Sequence, residues 1–214
     1  MPGMNTYFFE PILKKKYDRS YFDLSNYDNI YLCPQTLYKL HPDMDAIFLE
    51  ILELDPSAKL VLIEGAEMKW TETFSERLSG AMESRNKQHL DRVVVVKRLN
   101  TDEFLSLCRI ANVILDPFPV SPQIFGNINC SHRHFYPFKK VGGGRSSLEV
   151  LSQTTPIVLL PSRTSILQLT LGFYKMMNIP QLFQFCVAKD ERQYVEMAIR
   201  IGKDSQLEER LRLL

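Results

Sequence analysis

Residues 29–65 read NIYLCPQTLYKLHPDMDAIFLEILELDPSAKLVLIEG, and this stretch decides the fold class. Asn29 to Cys33 is a short apolar run closed by Pro34, which predicts a strand that stops there. From Asp43 to Leu54 the apolar residues Met44, Ile47, Phe48, Ile51, Leu52 and Leu54 recur at helical spacing. Asp43 follows a proline at the predicted start of that helix, and Asp55-Pro56 ends it. Lys59 to Glu64 is apolar again, with Gly65 turning the chain after it. These strands are continuously apolar instead of alternating. Strands of that kind, separated by helices, belong to a parallel sheet covered on both faces.

The same alternation continues outward. A polar amphipathic helix is expected over Thr71 to about Asn86 and a strand over Val93–Val96, whose four β-branched residues disfavour helix. Thr101 to about Arg109 reads as a helix with Asp102 and Glu103 in its first turn, where the helix dipole favours acids. Val113–Leu115 is a strand stopped by Asp116-Pro117. The three glycines 142–144 lead into a helix through Leu151, and a strand follows over Pro156–Leu160. A helix over Ser165–Met177, a last short strand over Phe185–Val187, and helices over Asp190–Ile201 and Ser205–Leu213 complete the pattern. The prediction is an open, doubly wound, mostly parallel α/β domain of Rossmann-like type over 28–214. An irregular aromatic and basic leader precedes it over 1–27. The segment 120–141 has no clean period and holds two prolines, so it is expected to be either functional or an insertion.

Composition narrows the function classes. The chain has 214 residues, 45% hydrophobic and 24% charged, an ordinary globular balance that excludes a disordered tail, a collagen or a disulfide knot. Lys and Arg total 26 against 25 Asp and Glu, a net charge of +1. A broad basic footprint for nucleic acid or anionic membrane is absent, so neither partner is expected. A nucleotide-sized ligand needs only one or two placed cations and stays allowed. No apolar run is long enough to span a bilayer, and residues 1–19 lack signal-peptide order. The four cysteines contain no CxxC, and three of them sit in apolar runs. That predicts a reducing compartment, cytoplasmic or nuclear, although an even count leaves a disulfide open.

In open parallel sheets ligands bind beyond the carboxyl ends of the strands, and four features fall there. Past the first strand, Gln35 can hydrogen-bond and Lys39 can meet a phosphate, or Lys39 is a surface lysine. Past the third strand, Phe104 can stack on a base near the Leu99 backbone, or it is a core residue. Asp116 can accept from a sugar hydroxyl, or it fixes its own turn. Finally, Gly143 and Gly144 permit close backbone approach, Arg145 adds a cation, Ser146 and Ser147 add hydroxyls, and the helix start offers unpaired N–H groups to an anion. Glu149, one turn in, can accept from a ribose, or the whole segment is a glycine turn with serine caps. It is neither GxGxxG nor GxxxxGK[ST], so a dinucleotide fingerprint and a P-loop are both unsupported. Cys130, His132 and His134 are too cramped for a zinc site and have no second cluster, so no metal is expected.

In order along the chain, residues 31–43, 60–65, 102–105, 114–119, 142–151 and 155–158 resemble one family. It is the C-terminal catalytic lobe of the O-linked N-acetylglucosamine transferases, which include the SPINDLY-type protein O-fucosyltransferases. The resemblance runs from about residue 29 to the end. It implies a GT-B glycosyltransferase that moves N-acetylglucosamine from UDP or fucose from GDP, with inversion, onto Ser or Thr of proteins. It also implies roles. Lys39 touches the phosphates and eases departure of the diphosphate, with Gln35 and Thr36 beside it. The Leu99 backbone and Phe104 face the base. Gly143, Gly144, Arg145, Ser146 and Ser147 present N–H and hydroxyl groups to the diphosphate, and Glu149 holds the ribose. No metal is needed. The family's N-terminal lobe, which carries the acceptor-side histidine, and its TPR repeats have no counterpart among these residues. Arg145-Ser146-Ser147 replaces the usual Asn-Thr-Ser, and the 120–141 segment separates motifs that normally adjoin. Two rivals stand beside this reading: a non-catalytic, degenerate lobe that binds proteins, and a GT-B transferase of small acceptors.

Overall fold

The structure is a computed structural model, and it describes residues 9–85, 89–118, 144–161 and 169–214. The expected insertion at 120–141, and with it the Cys130–His134 cluster, lies outside the described residues. Five strands form one parallel sheet: β1 (Asn29–Cys33), β2 (Ala58–Ile63), β3 (Val93–Val96), β4 (Val113–Leu115) and β5 (Ile157–Val158). Their order is β3-β2-β1-β4-β5. Tyr31 lies at the centre, opposite Leu60 on one side and Val113 on the other.

The order reverses direction between β1 and β4, and the helices divide accordingly. α1 (Asp43–Leu54), α2 (Met68–Ser84) and α7 (Glu191–Lys203) lie on one face: α1 packs on β2, α2 and α7, and α7 packs on β1, β4 and β5. α3 (Thr101–Ile110), α4 (Gly144–Leu151) and α5 (Leu169–Met177) form a second layer, in which α4 packs on both α3 and α5. This is the doubly wound architecture that the apolar runs predict. Phe48, Leu52, Leu32 and Val61 are fully buried between layers, and each large apolar side chain so buried contributes about 1.5–3 kcal/mol.

The differences from expectation are local. α2 starts at Met68, three residues before Thr71, and β5 keeps only two ladder residues of the expected five. Phe185–Val187 is not a strand. Pro180–Cys186 forms a helix, α6, with Pro180 in its first turn, and Val187 makes a single parallel bridge to Leu159. Three apolar residues have no measurable period, and a proline suits a helix start better than a sheet interior. α8 (Ser205–Arg212) closes the described chain. The described part of the leader packs along α3: the Lys14 and Tyr17 N–H groups donate to Asp102 and Ser106, and Phe22 and Leu24 are buried. Cys33, Cys108 and Cys186 are buried thiols. Among the described residues no helix is long and apolar enough to cross a membrane.

Candidate functional site

The reversal of strand order leaves a crevice beyond the carboxyl ends of β1 and β4, because their following segments leave toward opposite faces. A small cleft occupies that place. Its walls come from Pro34 and Gln35 after β1, from Leu115, Asp116 and Pro117 at the end of β4, and from Ser146, Ser147 and Val150 of α4. Segments 80 or more residues apart in sequence thus meet because β1 and β4 are neighbours in the sheet.

Each wall group has a local cause. Pro34 ends the ladder and turns the chain, which tucks Gln35 to 8% exposure. The Gln35 side-chain oxygen accepts from the Thr36 N–H at 3.0 Å, which leaves its amide N–H groups directed elsewhere. A single 3-10 turn over Leu37–Lys39 follows, closed by the Lys39 N–H donating to the Thr36 carbonyl at 2.9 Å. Lys39 therefore stands past the same end of β1 as the cleft, and it is not among the residues that line it. Its ammonium lies 5.9 Å from the Tyr38 ring centre, and that ring leans on Trp70 at 4.6 Å. Gly65 makes room for Trp70: a Cβ there would stand 3.0 Å from the Trp70 Cβ.

On the opposite wall, Gly144 and Arg145 open α4, and Ser146 and Ser147 lie in its first turn. The first-turn N–H groups of a helix lack intrahelical partners, and the dipole there favours an anion. Ser147 is buried, and its hydroxyl lies 2.9 Å from the Thr170 hydroxyl of α5. Thr170 also hydrogen-bonds to Asp116. Burial pushes the Asp116 carboxyl up to about 6, against the opposing pull of the Thr170 hydrogen bond. The Asp116 backbone is held from both sides: its N–H donates to the Val158 carbonyl at 3.0 Å, and its carbonyl accepts from the Tyr194 phenol at 3.2 Å.

Of the residues named from sequence, Gln35, Ser146 and Ser147 line this cleft, and Asp116 joins them. Thr36 and Lys39 follow Gln35 in the turn after β1 and are not among the lining residues. Gly143 lies outside the described residues. Glu149 is half-buried on the flank of α4 toward α3, where its charge acts on the Cys108 thiol and adds to the upward push of burial. Leu99 and Phe104 stand past the end of the edge strand β3, both half-buried against the core. Between them, Asn100 caps α3: its side chain accepts from the Glu103 N–H at 3.0 Å, and the Glu103 carboxylate accepts from the Asn100 N–H at 2.8 Å. Thr170 was not legible from sequence. Only the packing of α5 on α4 brings it to Ser147.

No protein-family model and no curated protein matches the chain in sequence. Solved structures do match in shape. A mutant of the Thermobaculum terrenum O-GlcNAc transferase superposes with a TM-score of 0.65 and 21% identity, covering 88% of this chain and 31% of that one. An UDP-forming trehalose-phosphate synthase from Burkholderia xenovorans gives 0.55 and 15%, covering 94% of this chain and 42% of that one. The C-terminal CMP-Kdo binding domain of WaaA from Acinetobacter baumannii gives 0.52 and 11%, covering 88% of this chain and 87% of that domain. The chain thus spans under half the length of the first two and nearly all of a single domain of the third. The likeness shows the fold alone: a Rossmann-like α/β domain with a parallel sheet flanked by helices.

Proposed function

We propose that this lobe binds the nucleotide-sugar donor of a protein O-glycosyltransferase, with N-acetylglucosamine or fucose passing to Ser or Thr hydroxyls. One observation carries the reading: Gln35 and the Ser146–Ser147 helix start face one another across a cleft at the point where strand order reverses. The sequence resemblance and the shape of the neighbouring glycosyltransferases support it.

In this reading the diphosphate rests against the first turn of α4. Its charge is met by backbone N–H groups, the serine hydroxyls and the helix dipole, with the Gln35 amide opposite. Charge grows on the diphosphate as the glycosidic bond breaks. Fixed dipoles and the Lys39 ammonium then stabilise the transition state more than the ground state. No divalent cation is required. Leu99 and Phe104 receive the base, Glu149 the ribose, and the Gly143–Gly144 bend and Arg145 the phosphates. A second lobe supplies the remaining wall and the acceptor-side groups in the full assembly, and the protein acceptor binds between the two.

Titration calorimetry with UDP-N-acetylglucosamine and GDP-fucose, with and without EDTA, tests this. Binding of one of them is expected, unaffected by EDTA and weakened about tenfold or more in Lys39→Ala and Gln35→Ala, a loss of about 1.4 kcal/mol each. No response at millimolar donor would refute the reading and favour a lobe kept for protein binding.

A further inference from the structure

The leader reaches the base end of the proposed donor site. Its backbone and side chains follow α3 along its length. The Lys14 N–H donates to Asp102 at 2.9 Å, the Tyr17 N–H to Ser106 at 3.1 Å, and the Arg19 guanidinium to the Ile110 carbonyl at 3.2 Å. A 3-10 turn over Arg19–Phe22 then brings the Tyr21 phenol back to the first turn of the helix, where it donates to Glu103 Oε1 at 2.7 Å. The other oxygen of that carboxylate, Oε2, accepts from the Asn100 N–H.

The Tyr21 phenol is half exposed, and a hydrogen bond from a freely turning side chain in water contributes little. Tyr21 is not freely turning. Asp18 accepts from its backbone N–H at 3.2 Å, the Tyr17 ring centre lies 4.3 Å from its own, and the buried Phe22 ring meets it edge-on at 5.0 Å. Much of the freedom that the bond would have to remove is already gone on the donor side. On the acceptor side, both Glu103 oxygens are engaged. The carboxylate is therefore held in the orientation that closes the capping box with Asn100.

Asn100 ends the connection between β3 and α3, and Leu99 stands just before it. In the donor-site reading Leu99 meets the base through its backbone, so its contribution depends on where that backbone is held. Phe104 follows Glu103 directly, and its N–H donates to the Asn100 carbonyl at 2.9 Å. A turn that opens and closes receives a ligand only in the fraction of molecules where it is closed, and the apparent affinity falls with that fraction.

We propose that Tyr21 is a positioning residue for the nucleobase: through Glu103 it holds the Leu99–Asn100 turn closed, which makes the leader part of the donor-binding unit. Tyr21 acts through Glu103 and not by touching the ligand. This deepens the donor-site reading and rests on it.

The test is a double-mutant cycle. Tyr21→Phe keeps both ring contacts and removes only the hydroxyl. Glu103→Ala removes the shared acceptor and puts a good helix former in its place. In the ligand-free chain, Tyr21→Phe should speed amide exchange at the Asn100 N–H about threefold and leave the β1 amides unchanged. Calorimetry with UDP-N-acetylglucosamine and GDP-fucose should show the donor that binds the parent weakened about threefold by Tyr21→Phe, and at least as much by Glu103→Ala. In the Glu103→Ala background, Tyr21→Phe should cost nothing more, because its acceptor is already gone. Losses that multiply in the double variant would mean that Tyr21 acts on the fold at large, and they overturn the proposal. Parent-like binding by Tyr21→Phe also overturns it and leaves the donor site standing. Unchanged exchange at the Asn100 N–H overturns it on its own, whether or not a donor binds. No binding of either donor by the parent overturns both readings.

Discussion

Replacing Arg77 by Met tests whether the loop that carries Gln35 and Lys39 is anchored as the structure indicates. Asp45 lies in the first turn of α1, directly after that loop, and is 3% exposed. Arg77 of α2 grips it with two bonds, Nε to Oδ2 at 2.6 Å and Nη2 to Oδ1 at 2.9 Å, while its guanidinium lies 5.2 Å from the Phe74 ring. Methionine keeps much of the aliphatic stem and removes both bonds. Breaking a buried pair by removing one partner costs about 3–5 kcal/mol. The Arg77 side chain is 27% exposed, so water reaches its end of the pair and about 3 kcal/mol, the lower figure, applies. In a chain of this size that lowers Tm by about 6–12 °C near pH 7.5. The sign of the pH effect follows from Asp45. Burial raises its carboxyl even with Arg77 lowering it, and loss of Arg77 raises it further. The deficit is therefore largest where Asp45 is ionised in the folded variant. It shrinks as pH falls through the raised folded pKa, because a neutral carboxyl needs no cation. Asp45→Asn in the Arg77→Met background should recover most of the loss near pH 7.5. Calorimetric melts near pH 7.5 and pH 5 decide it. A Tm within about 1 °C of the parent, or a deficit of equal size at both pH values, would falsify the argument.

Two further outcomes follow from packing alone. Gly202→Ala places a Cβ on the Tyr31 hydroxyl and ring, and Tyr31 is held in place by its 2.7 Å bond to Asp55. The gain of about 1 kcal/mol in helix propensity should be outweighed by overpacking of about 1–3 kcal/mol, so urea melts should show a net loss; a more stable variant would mean that Tyr31 gives way easily. Asn100→Ala removes the α3 cap and should cost about 1 kcal/mol, with amide exchange speeding first at the Glu103 N–H that the Asn100 side chain holds; unchanged exchange there would mean that the cap contributes nothing.

The apolar runs at 30–33, 60–63 and 113–115 made the sheet legible, because a strand buried on both faces has little freedom in composition, and the half-buried edge run at 93–96 was legible from its four β-branched residues. Strand order was not legible, since nothing local in β4 says that it pairs with β1 and not with β3. The site was legible in part for the same reason. Gln35 and the serines of α4 stand at strand and helix ends, where turn residues betray the geometry. Thr170 sits inside an ordinary helix, 23 residues from Ser147. Its role is a property of how α5 lies against α4. The misread segment at 185–187 failed differently: six of the seven residues of α6 follow a proline, but the eye is drawn to the apolar triplet at its end.

β4 is three residues long, and both of its ends are engaged. At its start, Asn112 accepts from Arg19 of the leader at 3.1 Å and donates to Glu208 of α8 at 2.6 Å, while Arg212 binds the Ala111 carbonyl. At its finish stands Asp116, in the cleft wall. A strand this short has no slack to absorb a displacement, and it spans only about 10 Å. It behaves as a rigid pin between two poles of the molecule. Loosening either the leader or the last helix should be felt as a misplaced carboxyl on the far side well before the sheet itself comes apart.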